Sequence, residues 1–137
     1  MWQHEIKVRP RRRGLNSITE QVAEAFKQVT SVKEGLLHLF LKHTSASLLI
    51  NENADPSVQT DLERFLSHMV PETYPYTHRD EGPDDMPAHV KNAFISCSLS
   101  IPVQDGKLAL GTWQGIFLWE HRDQLPERRI VLTLMYS

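Results

Sequence analysis

The chain has 137 residues, room for one domain with its own core, taken here as residues 1–137. Hydrophobic residues make up 40%, charged residues 23%, and the net charge is -2 with histidine neutral, a balance that excludes a protein devoted to nucleic acid, whose phosphates call for surplus Lys and Arg. The single cysteine, Cys97, rules out an intrachain disulfide, and no segment has the length of a membrane span or signal peptide, so a cytoplasmic protein with neither membrane nor nucleic-acid partners is expected.

In chain order, Trp2, His4, Ile6 and Val8 alternate with polar residues and predict a half-buried strand, broken by Pro10 and Gly14. The run Arg9, Arg11, Arg12 and Arg13 reads as a solvated turn. Ser17 followed by Glu20 has the capping-box pattern, and Ile18, Val22, Phe26 and Val29 follow at helical spacing. Gly35 restarts the chain. Leu36 to Leu41 is apolar enough for a strand buried on both faces, and Ser47 to Ile50 predicts the next. Asp55 and Pro56 suit an N-cap and first helical position, with Val58, Leu62, Phe65, Leu66 and Met69 as the apolar stripe of a helix that Pro71 ends. The stretch from Pro71 to Pro87 is acidic and proline-rich, and a loop of that length in a small domain is functional or disordered; Tyr74, Tyr76 and Met86 favour order. Pro87 opens a short helix carrying His89.

The remainder is strand-like. Leu99, Ile101 and Val103 alternate with polar residues up to Asp105-Gly106, a two-residue hairpin signal; Leu108 and Leu110 lie on the return. Thr112 to Glu120 and Ile130 to Tyr136 complete the set. Along the first of these, Gln114, Ile116, Leu118 and Glu120 share one face, where burial of a polar member demands partners. The expected fold is α+β, a mostly antiparallel twisted sheet or sandwich with two main helices.

Polar residues cluster at the edges of these elements, where rigid structure can aim loop side chains. His43 ends a strand, and His78 and His89 stand eleven residues apart around the acidic loop. Three imidazoles with one open position match a catalytic zinc site, although the spacing is not diagnostic; the alternative has His43 capping a strand and the others solvated. Glu81 and Asp85 are placed to orient those imidazoles or to move a proton. Cys97 between two serines reads as a buried thiol, and no Gly-x-Ser-x-Gly elbow, phosphate loop or dinucleotide fingerprint is present.

The blocks His-Thr-Ser-Ala-Ser-Leu at 43–48, Asn-Glu-Asn-Ala-Asp-Pro at 51–56, Glu-Gly-Pro-Asp-Asp-Met-Pro-Ala-His at 81–89, and Gly-Thr-Trp-Gln-Gly-Ile at 111–116 with Glu-His-Arg at 120–122 resemble the signature blocks of the YjbQ-like family. The resemblance runs nearly end to end. It implies a YjbQ-like α+β fold, a homotrimer, and a low, secondary thiamine-phosphate synthase activity joining hydroxymethylpyrimidine diphosphate to thiazole phosphate. It also implies a metal or anion among histidines, landing here on His43, His78 and His89 with Asn51, Asp55, Asp85, Gln114 and Glu120 around them. The expectation is therefore a transferase acting on a small phosphorylated or anionic substrate, with a divalent metal, zinc or magnesium, as cofactor. Lys91, Arg79, Arg122, Arg128 and Arg129 are the available cationic donors. The rival readings are a metal-assisted hydrolase or lyase and a trimeric small-molecule binding protein.

Overall fold

The computed structural model describes residues 1–29 and 31–137. Its elements are β1 (Trp2–Val8), β2 (Gly14–Ser17), α1 (Thr19–Phe26), β3 (Gly35–Leu41), β4 (Ala46–Glu52), α2 (Pro56–Met69), α3 (Asp85–Phe94), β5 (Ser98–Gln104), β6 (Lys107–Leu108), β7 (Gln114–Glu120) and β8 (Arg128–Met135). Every strand pair is antiparallel: β1-β8-β3-β5-β6 form one sheet and β2-β7-β4 a second. This is the expected α+β class.

The sheets share one core. Leu37, Leu39 and Leu41 of β3, Ile130, Leu132 and Leu134 of β8, Leu48 of β4, and Ile116 and Leu118 of β7 are buried together, with Val22 and Phe26 of α1. The other face of β7 presents Phe117 and Trp119, which pack with Leu15, Leu66 and Val70 in a second cluster beneath α2. β7 is thus buried on both faces from Gly115 to Glu120, as its apolar run suggests. β3, expected to be buried on both faces, instead alternates; its Phe40 is 45% exposed.

Several local expectations need correction. Ser17 does not cap α1: the N-cap is Ile18, with no side-chain cap, and Thr19 Oγ1 instead accepts the Ile116 N–H at 2.8 Å, tying the helix to β7. Gly14, read as a breaker, begins β2 at a φ of 117°, a backbone conformation open to glycine. α3 starts at Asp85, two residues before the expected proline. α2 is capped as its sequence indicates, Asp55 accepting from Ser57 N at 2.9 Å. Yet Phe65 and Met69 of its apolar stripe are 66% and 55% exposed. The Asp105-Gly106 turn has φ of 50° and 75°, the hairpin geometry its sequence calls for.

Candidate metal centre

Asp85 organises the site. It is the first residue of α3, and its side chain is 2% exposed. Arg122, just beyond β7, donates through Nη1 to Asp85 Oδ1 and through Nη2 to the Glu81 carbonyl at 2.9 Å. Its Nε lies 3.3 Å from Asp84 Oδ1, at ion-pair distance but outside hydrogen-bond geometry. Asp84 in turn accepts the Asp123 N–H at 2.8 Å. Burial pushes the Asp84 carboxyl up, but the Asp123 N–H and the Arg122 charge outweigh it and hold the carboxyl below its ordinary value. Two adjacent carboxylates therefore lock the 81–85 turn onto one guanidinium, leaving Asp85 Oδ2 facing outward.

Two imidazoles meet that oxygen. His78 Nε2 lies 2.9 Å from Asp85 Oδ2, and His89 Nε2, one helical turn along α3, lies 3.3 Å from it. His89 Nδ1 is 2.9 Å from the Thr44 carbonyl, an acceptor only, so Nδ1 carries a proton and donates it. In the neutral ring, Nε2 then points a lone pair at a carboxylate oxygen. Lone pair against lone pair is repulsive unless a positive centre lies between. The neutral His78 ring can donate its Nε2–H to that oxygen, whereas His89, its Nδ1 proton committed to Thr44, could do so only as an imidazolium.

The donor set also fits a metal ion. The three ligand atoms lie within 4.8 Å of one another. With bonds of about 2.0–2.1 Å, neighbouring ligands stand about 2.9 Å apart in an octahedron and about 3.3 Å in a tetrahedron, so the two contacts are short enough for one ion to bridge but select neither geometry. Two imidazole nitrogens and one carboxylate suit zinc or another first-row metal, not magnesium, which takes oxygen ligands. The Thr44 carbonyl on the far nitrogen of His89 is the outer partner a ligating histidine ordinarily has.

His43 does not join this set. Its Nε2 accepts the Arg129 N–H at 2.8 Å, so that lone pair is occupied and the neutral ring keeps its proton on Nδ1. Burial, then the neighbouring Arg128 charge, lowers its pKa, which keeps the ring neutral and in this bridging role. Asp85, buried at the point where imidazoles and guanidinium meet, offers the third potential ligand atom of the cluster instead. Its neighbour Glu81 is exposed and contributes its backbone carbonyl.

Glu120 is fully buried and touches none of the three ligands. It forms a two-point ion pair with Arg128, which is 3% exposed, and also accepts the Arg122 N–H at 3.0 Å. Arg128 donates to the Ser45 carbonyl at 3.1 Å. This pair thus pins both the backbone of Arg122 and the 43–45 turn that supplies the Thr44 carbonyl. The face shared by Ile116, Leu118 and Glu120 was the sequence signal for it; its partner, eight residues on, had none. Asn51 and Gln114 lie elsewhere. β4 pairs Asn51 with Gly115 and Glu52 with Gln114, whereas Ala46 pairs with Glu120, so these amides are about 20 Å along the strands from the histidines. Asn51 Oδ1 accepts Glu52 N, Gln114 Oε1 accepts Gly111 N, and Asp55 caps α2.

Beside the histidines, the 72–87 loop encloses a hollow of about 450 Å³ walled by Tyr74, Tyr76, His78, Arg79, Met86 and Pro87 among others. Beneath α3, Lys91 is fully buried with Ser67 Oγ 3.4 Å away, and His121 is fully buried with Nε2 2.9 Å from Ser47 Oγ. Burial, and then the Lys91 charge, lowers the His121 pKa to about 3. His121 falls in the Glu-His-Arg block and Lys91 among the candidate cationic donors, but no sequence pattern marks either as buried.

The fold and the buried carboxylate-histidine cluster define a small two-sheet α+β protein with a candidate first-row metal centre at the edge of its sandwich. The model of the family described as "UPF0047 protein YjbQ-like" matches residues 4–137, and the chain belongs to that family. It is 47% identical over 135 residues to the UPF0047 protein YjbQ of Salmonella typhimurium, covering 98% of each chain. A UPF0047 protein of Methanocaldococcus jannaschii is 41% identical over 129 residues, 94% of this chain and 88% of that one. Among solved structures, a hypothetical protein from Aeropyrum pernix K1 superimposes with a TM-score of 0.89 at 32% identity, covering 100% of both chains. A YjbQ/UPF0047 protein from Clostridium acetobutylicum gives 0.87 at 32%, covering 96% of this chain and 99% of that one. No helix among the described residues is long and apolar enough to cross a membrane.

Proposed function

We propose that His78, Asp85 and His89 hold a divalent first-row metal ion, and that the chain is a transferase handling a phosphate-bearing substrate there, with thiamine phosphate formation as a secondary activity. The observation that carries the metal reading is the convergence of two imidazole Nε2 atoms on one buried carboxylate oxygen, with the far nitrogen of His89 committed to the Thr44 carbonyl. In the transfer, the thiazole nitrogen forms a bond to the pyrimidine methylene carbon as the carbon–oxygen bond to diphosphate breaks, and diphosphate leaves with the electron pair. A bound divalent cation would supply charge neutralisation for that leaving group. Arg79 lines the same hollow as His78 and would donate to phosphate oxygens bound there. Asp85 holds ligands and accepts from Arg122, so it is a ligand and not a free base.

The test is a coupling assay with hydroxymethylpyrimidine diphosphate and thiazole phosphate after chelation, with zinc or manganese added back, alongside direct metal titration. We expect metal-dependent product formation from the wild type and none from His89→Ala. Product formed equally in chelator would remove the metal from the reaction; metal binding without product would leave the metal centre and remove the transfer.

A homotrimer is part of the same proposal. Exposed Phe65 and Met69 on α2 and Phe94 at the end of α3 support an assembly that covers them. Light scattering in dilute solution should return three chains; a stable monomer would overturn the assembly.

A further inference from the structure

Two motif blocks remain outside the histidine centre: residues 51–56 and 111–116. Both lie at the opposite end of β4 and β7, and they converge on Asn53. The Asn53 N–H donates to the Trp113 carbonyl at 2.9 Å. Its side chain sits against Gly115 so closely that a Cβ there would come within 2.7 Å of Asn53 Cβ and 2.8 Å of its Nδ2. Gly115 is therefore the residue that lets Asn53 occupy its place.

Asn53 lines a hollow of about 590 Å³ together with Gln59 of α2, the start of α1, and Arg9, Arg11 and Arg12 of the turn between β1 and β2. That turn is built rather than merely solvated. Asn16 Oδ1 accepts Arg11 N–H at 2.8 Å, while Asn16 Nδ2 donates to the carbonyls of Arg12 at 2.9 Å and Gly14 at 3.0 Å. Its four arginines divide their work. Arg13 joins Glu63, Glu72 and Asp123, and Arg9 pairs with Glu127 at 3.3 Å. Among the described residues, no carboxylate pairs with Arg11 or Arg12, and no hydrogen bond within the chain uses the side-chain amides of Asn53 or Gln59. The one carboxylate lining the hollow is Glu20. Two exposed arginines and two amides, none of them engaged by a side-chain partner among the described residues, thus line the hollow with a single acid.

We propose that this hollow is a second ligand site, for a phosphorylated small molecule, with Arg11 and Arg12 holding the phosphate and Asn53 and Gln59 holding neutral polar groups of the ligand body. Guanidinium forks match phosphate oxygens two at a time, and amides match hydroxyl and carbonyl groups. The site is independent of the metal reading and stands if that reading fails.

The experiment is amide NMR titration of the full chain with inorganic phosphate and, separately, with ribose 5-phosphate, in low salt. Both probes should shift residues 9–21 saturably, with ribose 5-phosphate binding more tightly because it also reaches Asn53 and Gln59. The Arg11→Ala/Arg12→Ala double variant should lose about tenfold or more in affinity for both, since charge-assisted phosphate contacts are the strong ones. Asn53→Ala should remove only the preference for the sugar phosphate, and Glu20→Gln should tighten both. Thermal melts of each variant separate lost binding from lost fold, and Glu20→Gln keeps the test intact if the double variant does not fold. His89→Ala should bind as the wild type does. Shifts confined to His78 and His89, unchanged affinity in the folded double variant, weaker binding in Glu20→Gln, or no saturable shift at millimolar probe would each overturn the site. Equal affinity for the two probes, unaffected by Asn53→Ala, would overturn the role given to the amides.

Discussion

Asp85 and Glu120 are both buried carboxylates that meet an arginine, yet they do opposite things. The oxygens of Glu120 are engaged by Arg128 and by the Arg122 N–H, all donors from within the chain. Asp85 gives Oδ1 to Arg122 and turns Oδ2 toward two imidazole nitrogens, one of which already has its proton placed elsewhere. A carboxylate whose acceptors are filled from within is framework; one that meets two imidazole nitrogens, His89 Nε2 among them without a proton in the neutral ring, has room in its bonding for a cation. The distinction lies in hydrogen-bond accounting and not in burial, which the two residues share.

The largest effect is expected on the closed side and is driven by pH. His121 follows Glu120 and is buried neutral, with a folded pKa of about 3 against an ordinary 6.5. The unfolded chain therefore binds the proton first. Stability is full above pH 6.5 and falls as pH drops toward 3, by up to about 5 kcal/mol at 1.36 kcal/mol per unit. Urea unfolding across that range should show the loss, and His121→Gln should flatten the slope. An unchanged slope in the variant would move the acid sensitivity to other groups.

Breaking the closed pair comes next. Arg128→Met leaves Glu120 as an uncompensated buried charge and should cost about 3–5 kcal/mol, while adding Glu120→Leu should recover much of it. If the single variant unfolds at wild-type denaturant concentration, Glu120 is not the framework residue described above.

Opening the other carboxylate should act on binding more than on stability. Asp85→Asn keeps the side chain's size, and Arg122 retains Asp84 and the Glu81 carbonyl, so the fold should survive. Zinc affinity should fall by at least about ten- to a hundredfold, since even carboxylates beyond the ligand shell matter by that much. Calorimetric titration beside a melting curve measures both. The smallest effect is expected for Asp80→Asn, an exposed loop position, within about 0.5 kcal/mol of wild type and with unchanged metal affinity. Matching behaviour of the two variants would erase the contrast.

Much of the fold is legible in the sequence because it rests on local chemistry. Alternation marks β1, Asp55 and Pro56 begin α2, and Asp105-Gly106 turns β5 back toward β6. The β2 strand is short and hidden behind the glycine that starts it, and the pattern that suggested a Ser17 cap is overridden because Thr19 bonds across to β7. The site was half legible for a related reason. His78, Asp85 and His89 fall within a single stretch of chain, so their grouping needs one loop and one helical turn. Assigning His43 depends on which backbone N–H its ring meets, and the Arg129 contact joins residues 86 positions apart. The Glu120–Arg128 pair and the burial of Lys91 and His121 are likewise tertiary outcomes. Asn51 and Gln114 were grouped with the histidines although β4 and β7 carry them to the far end of the sheet.

The most direct test of the central claim is nitrogen-15 NMR of the histidine rings with and without zinc. Before zinc, near neutral pH, His89 should carry its proton on Nδ1. One equivalent of zinc should shift Nε2 of His78 and His89 strongly and leave the rings of His43 and His121 in place. No zinc-dependent shift at His78 and His89, or a shift at His43 as large as theirs, would contradict the account.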